Sequence, residues 1–287
     1  MKIIDAHVHY SKIASFEDCA ARTSMVDYSE KGYLSESDEF NVVASICMGL
    51  VEKVPGGFPD KNAQTPMLSD LEASMPPGMS LCLGINPHTL CDQSLAKTEE
   101  MIRDNLHIVG MKIYAGYYHF DITDLVYDPI YDIAKRYNKT VVIHTGETYS
   151  DRGLLKYSHP LRVDDLAVAH PAMRIVACHM GAPWVFDACE VASKNPNVYI
   201  DISGILVGCN NYILKQAANP LLIDRYRQAL VFLDNYEKVL YGTDWPLAPM
   251  GVYLEFCKKM IPVEFHEKVF YENAVKVYNL SHEHFCY

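Results

Sequence analysis

Two spacings of apolar residues alternate along this chain. Short unbroken apolar runs, rich in Val, Ile and other β-formers, occur at residues 2–9, 42–47, 81–85, 107–113, 140–143, 174–179, 198–201 and 239–242. They are too short for helices and predict buried strands. Between several of them apolar residues recur at helical spacing. Residues 89–105 favour a helix, and Asp128-Pro129 marks a helix start with proline at the first helical position, followed by Ile130, Ile133, Ala134 and Tyr137. Further helices are predicted at 160–169, from Pro183 to just before Asn195-Pro196, at 221–233 and at 270–278. The polar stretch 11–39, which holds Phe16, Tyr28 and Tyr33, is too long for an ordinary connection and predicts a functional loop or lid.

Eight such runs alternating with helical segments over about 250 residues predict a closed (β/α)8 TIM barrel, and no boundary divides residues 1–287 into more than one domain. In such barrels the carboxyl ends of the strands carry the chemistry. His7 and His9, two positions apart on the first strand, face one side. Lys112 ends the fourth run, His144 the fifth, His179 the sixth and Asp244 the eighth. Singly, each has a structural explanation: a turn former, a cap, an imidazole bonded to a carbonyl. Together they converge on one mouth. Turn chemistry does not call for imidazole, and four buried histidines would need four partners, so the set predicts a metal centre.

Charge and cysteine content narrow the partners. The formal net charge of -11, with no Lys/Arg run, argues against nucleic acid and anionic membranes as partners. The nine cysteines contain no Cys-X-X-Cys pair, and Cys47, Cys82 and Cys178 sit inside apolar runs, so they read as reduced core thiols. Asp5, His7 and His9 interrupt the place where a signal peptide needs an apolar segment, and no run reaches membrane-spanning length. A cytoplasmic protein acting on a small molecule is expected, with a homodimer left open.

Six segments carry a resemblance. Asp5-Ala6-His7-Val8-His9, Gly110-Met111-Lys112-Ile113, His144-Thr145-Gly146, His179-Met180-Gly181, Asn197-Val198-Tyr199-Ile200-Asp201 and Gly242-Thr243-Asp244-Trp245-Pro246 resemble the motif series of the amidohydrolase superfamily. The nearer likeness is to the amidohydrolase-2 branch, that of aminocarboxymuconate-semialdehyde decarboxylase, and it extends over nearly the whole chain. The resemblance implies one divalent ion, zinc first and manganese second, held by His7, His9, His144 and Asp244. Three imidazoles and a carboxylate suit zinc, and an open position would bind water and lower its pKa towards about 7. Asp244 and His179 are then the expected proton carriers, His179 standing beside the metal rather than on it. A carboxylated Lys112 would bridge two ions; as an ammonium, the favoured form, it would bind a substrate carboxylate.

The implied activity is hydrolysis of a small amide, ester or lactone by metal-activated water. Nonoxidative decarboxylation of a small carboxylic acid is the alternative, since the same branch contains both, and a metal-binding protein without catalysis ranks third. Tyr114, Tyr117, Tyr118, Trp184 and Trp245 suggest an aromatic-lined pocket, with Lys112 and Trp184 as substrate-binding candidates. Arg152 and Arg162 are further candidates for a carboxylate.

Overall fold

The computed structural model describes residues 1–285. Eight parallel strands form one sheet in sequential order: β1 (Ile3–Val8), β2 (Val42–Met48), β3 (Met79–Ile85), β4 (Ile108–Ile113), β5 (Thr140–Ile143), β6 (Ile175–Ala177), β7 (Val198–Asp201) and β8 (Val239–Leu240). The last strand returns to the first. Ala6 N donates to Tyr241 O at 2.9 Å and Asp244 N to His7 O at 2.8 Å, so the sheet closes into the expected (β/α)8 barrel.

Alternation along the strands divides the core. Ile46, Val142, Val176 and Leu240 fill the barrel, whereas Ile113, Val141, Ile175 and Ile200 pack outward with helix residues such as Ile130, Leu166, Val191 and Leu230. The Asn273–Tyr278 helix joins the inner cluster through Ala274, Val277 and Tyr278, and Thr140 Oγ1 donates to Val277 O at 2.6 Å. Thr140 begins β5, so this helix stoppers the end of the barrel opposite the strand carboxyl termini. Each large side chain so removed from water contributes about 1.5–3 kcal/mol.

The helices Asp92–Asp104, Asp128–Arg136, Leu161–Ala169, Val185–Lys194 and Pro220–Leu233 lie where the spacing predicts them. Two others, Asn210–Ala217 and Met250–Met260, were not evident in the sequence. The segment 11–39 is corrected as well. It folds into the helices Ala14–Cys19 and Glu30–Glu39 around a π-helical turn at Ala20–Ser24. Its helical signal is weak because the second helix is polar and touches the barrel at few points. Ser29 Oγ caps it by accepting from Gly32 N, and Tyr33 and Glu36 anchor it, Glu36 accepting from Trp245 Nε1 and Met250 N. Cys47, Cys82 and Cys178 are buried and unpaired. Among the described residues no helix is long and apolar enough to cross a membrane.

Candidate metal centre

Both histidines of β1 reach the mouth through an irregularity in the strand. Ile4 and Ala6 pack in the inner cluster and Val8 in the outer one, so strict alternation from Ile4 would turn His7 outward. The pairing of β1 with β2 shifts register between Asp5 and Val8, which changes the phase and lets His7 and His9 both face inward. Asp5 secures the seam. Its carboxylate accepts from His7 N (3.1 Å), Thr243 N (3.0 Å) and Thr243 Oγ1 (2.5 Å), tying the end of β1 to the segment that carries Asp244. Burial raises this carboxyl to about 7 in spite of the Thr243 bonds.

His7, His9 and Asp244 are buried and offer ligand atoms that all lie within 4.8 Å of one another. Asp244 Oδ1 stands 3.5 Å from His7 Nε2 and 3.2 Å from His9 Nε2. Edges of a tetrahedron built on metal–ligand bonds of 2.0–2.1 Å measure about 3.3–3.4 Å, so these separations suit zinc or a similar ion. His7 Nε2 and Asp244 Oδ1 have no hydrogen-bond partner although both are buried. Two orphaned acceptors facing each other are unfavourable unless a cation joins them.

The other two histidines show the same requirement. His144 Nε2 lies 2.9 Å from Glu147 O and His179 Nδ1 lies 3.1 Å from Ser203 O. A carbonyl only accepts, so these two ring nitrogens carry the hydrogens in the neutral rings. The remaining nitrogens, His144 Nδ1 and His179 Nε2, then face each other with lone pairs at 3.1 Å. A shared proton or a metal must lie between them. Burial first, then the mutual charge of the pair and that of Lys112, pushes His144 far below its ordinary value, and burial likewise lowers His179. Burial and the Lys112 charge bring His7 down to about 4. Neutral rings with free lone pairs suit a metal better than a proton. Asp244, which burial alone would raise, is held well below the carboxylate range by the imidazoles of His7, His9 and His179.

Of the residues singled out in the sequence, His9, His144, His179, Asp244 and Lys112 line one cavity that opens to solvent, and His7 is buried against its wall, 3.5 Å from Asp244 Oδ1. His144 stands outside the tight trio and opposite His179. Phe16, Phe58, Tyr114 and Tyr117 form the aromatic walls. The structure corrects the other aromatic candidates. Trp184 does not line the cavity: its ring packs on His159, with centroids 4.6 Å apart. Trp245 is fully buried among Tyr10, Tyr28 and Tyr33, and Tyr118 is bonded to Asp60 O, so neither lines the cavity. Arg162 pairs with Asp121 (2.7 Å) and Asp165 (2.8 Å), and Arg152 bonds the Phe58 carbonyl.

Sequence reasoning passed over three site residues. Asp201 and Ser203, on and just after β7, bond both His7 and His179, and Gly204, at φ +60, lies against Asp244 and His179. An aspartate ending an apolar strand was the available signal for the first. His179 and Asp244 themselves adopt left-handed backbone angles, φ 59 and φ 64, a strained state for non-glycine residues that the surrounding bonds must hold.

No curated protein matches the chain by sequence. Among solved structures it is similar to an uncharacterized TIM-barrel protein from Bordetella bronchiseptica, at 18% identity and TM-score 0.67, covering 96% of this chain and 98% of that one. It is also similar to a dihydroxybenzoic acid decarboxylase from a Polaromonas species with bound manganese and the inhibitor 2-nitroresorcinol, at 13% identity and TM-score 0.64, covering 98% of both chains. A third likeness is to a probable 2-pyrone-4,6-dicarboxylic acid hydrolase from Acinetobacter baumannii, at 14% identity and TM-score 0.60, covering 98% of this chain and 100% of that one. These likenesses establish the barrel. The amidohydrolase-2 family model, described as amidohydrolase, matches residues 4–280, and the chain therefore belongs to that family.

Proposed function

We propose that this protein is a metal-dependent carboxy-lyase that removes CO2 from a small carboxylic acid without oxidation. The observation that carries the reading is Lys112. Its side chain is buried at the cavity and its Nζ donates to the thiol Cys178 Sγ at 2.9 Å and lies over the Tyr114 ring at 5.5 Å. Among the described residues no carboxylate stands within 4.0 Å of it. A buried ammonium without a counter-charge costs several kcal/mol, and an anionic substrate seated beside it would offset that cost. The dihydroxybenzoic acid decarboxylase from Polaromonas, which shares this fold, supports the same assignment.

His7, His9, His144 and Asp244 would hold one divalent ion, zinc or manganese, with the substrate on its open side. The bound ion supplies positive charge that polarises substrate oxygens. The chain's own groups handle the proton. As the carbon–carboxylate bond breaks, its electron pair stays on the substrate carbon, CO2 departs, and His179 delivers a proton to that carbon. Burial lowers His179, and the Asp244 carboxylate, 3.9 Å from His179 Nδ1, opposes that effect in part, which helps the ring take up the proton that it passes on. Phe16, Phe58 and Tyr117 would hold an apolar or aromatic body above these groups.

Hydrolysis is the second reading, supported by the same donor set and by the likeness to the Acinetobacter hydrolase. Metal-loaded protein should be tested against hydroxybenzoates for CO2 release and against lactones and amides for ring opening or cleavage. CO2 release that weakens 10-fold or more in Lys112→Met supports the lyase. Turnover of uncharged lactones, unaffected by that substitution, would assign the site to hydrolysis instead.

A further inference from the structure

Between the two halves of the candidate centre lies a pair of residues with no assigned role. Asp201 Oδ2 is 3.0 Å from His7 Nδ1. Asp201 Oδ1 accepts from three donors: Ser203 Oγ (2.5 Å), Ser203 N (3.1 Å) and His179 N (2.9 Å). Ser203 Oγ in turn lies 3.1 Å from His7 Nδ1 and 3.0 Å from His179 Nδ1. The hydroxyl has one hydrogen, and Asp201 takes it. Towards both imidazoles Ser203 Oγ can therefore only accept, as can Asp201 Oδ2 and Ser203 O.

We propose that Asp201 and Ser203 are positioning residues that together hold His7 and His179 in the Nδ1–H form, leaving the His7 Nε2 lone pair free for the metal and the His179 Nε2 lone pair free to take up a proton beside it. A carboxylate bonded to the far nitrogen of a metal-binding histidine fixes its ring and tautomer in this way. Here Asp201 holds His7 directly and the Ser203 carbonyl holds His179, with the Ser203 hydroxyl, oriented by Asp201, as a second acceptor for both rings. Asp201 and both rings are buried, so water does not substitute for the missing acceptor. The inference rests on the metal reading only for its consequence, since the tautomers are a property of the metal-free chain.

Substitution by the amide makes a sharp test. In Asp201→Asn the side-chain oxygen must occupy the Oδ1 position, where three donors converge, which places the NH2 group against His7 Nδ1. His7 is then forced to the Nε2–H form and loses its ligating lone pair. Nitrogen-15 NMR of the imidazoles should show His7 and His179 as Nδ1–H in the metal-free wild type. It should show His7 switched in Asp201→Asn, with affinity for Zn2+ or Mn2+ reduced 10- to 100-fold in a chelator competition. Ser203→Ala, which leaves the Asp201–His7 bond and the Ser203 carbonyl in place, should keep both tautomers and lose less than about 5-fold in affinity. Wild-type His7 in the Nε2–H form would overturn the proposal whether or not the variants fold. So would Asp201→Asn with an unchanged tautomer and unchanged affinity. Wild-type protein with the expected tautomers but no metal affinity would refute the metal reading and leave the positioning role standing.

Discussion

Gly204 offers a quantitative test of how tightly the centre is built. A Cβ added there would sit 2.6 Å from Asp244 Oδ2 and 2.8 Å from His179 Nδ1, where ordinary contact begins at 3.4 Å. The neighbours must therefore give by 0.8 Å (3.4 less 2.6) and 0.6 Å (3.4 less 2.8). Asp244 has little freedom to do so, because its backbone is held at φ 64 and its N–H is bonded to His7 O. Metal–ligand distances tolerate about 0.2 Å, so a carboxylate displaced by several times that amount loses its place in the coordination set. Gly204→Ala should weaken binding of Zn2+ or Mn2+ by about 100-fold, equivalent to about 2.7 kcal/mol. The backbone adds a separate cost, since alanine at φ +60 loses roughly 1–2 kcal/mol of stability. Gly56→Ala provides the control: Gly56 has φ +73 and nothing within 4 Å of the added Cβ, so that variant carries the backbone cost without the clash. Chelator competition and urea unfolding of the metal-free proteins separate the two effects. If both variants bind metal within 3-fold of each other, the centre is not closely packed around Asp244 and this reasoning fails.

Elemental analysis of protein expressed with supplemented zinc or manganese should find close to one ion per chain; about two would support a carboxylated Lys112, and near zero would defeat the metal reading. His179→Asn should keep nearly all the metal while turnover on the identified substrate falls 100-fold or more; parallel loss of metal would make His179 a ligand. In the metal-free protein, His7 and Asp5 act in opposite senses between pH 4 and 7. His7, brought to about 4 by burial, is protonated first in the unfolded chain, so its contribution is full above about 6.5 and lost towards 4, a change of about 3 kcal/mol. Asp5, raised to about 7, holds its proton first in the folded state and gains stability as pH falls. Asp5→Asn should therefore lose stability on acidification more steeply than wild type in urea titrations at pH 7 and 4.5, and parallel curves would contradict the Asp5 contribution.

What the sequence by itself determined was local in origin. Unbroken runs of β-formers and apolar residues at period 3.6 depend on neighbours in the chain, and they were sufficient for eight strands, six of the helices and a closed barrel. Residue type at strand ends marked His7, His9, Lys112, His144, His179 and Asp244, because a barrel brings such positions together wherever they fall in sequence. Direction was another matter. The phase shift in β1 depends on its pairing with β2, the place of Trp184 on its packing against His159, and the contacts of Asp201 on a partner 194 positions away. The polar helix Glu30–Glu39 likewise depends on Trp245 and Met250, far along the chain. Side-chain orientation and tautomer are fixed by contacts made only when the barrel closes, and no local periodicity encodes them.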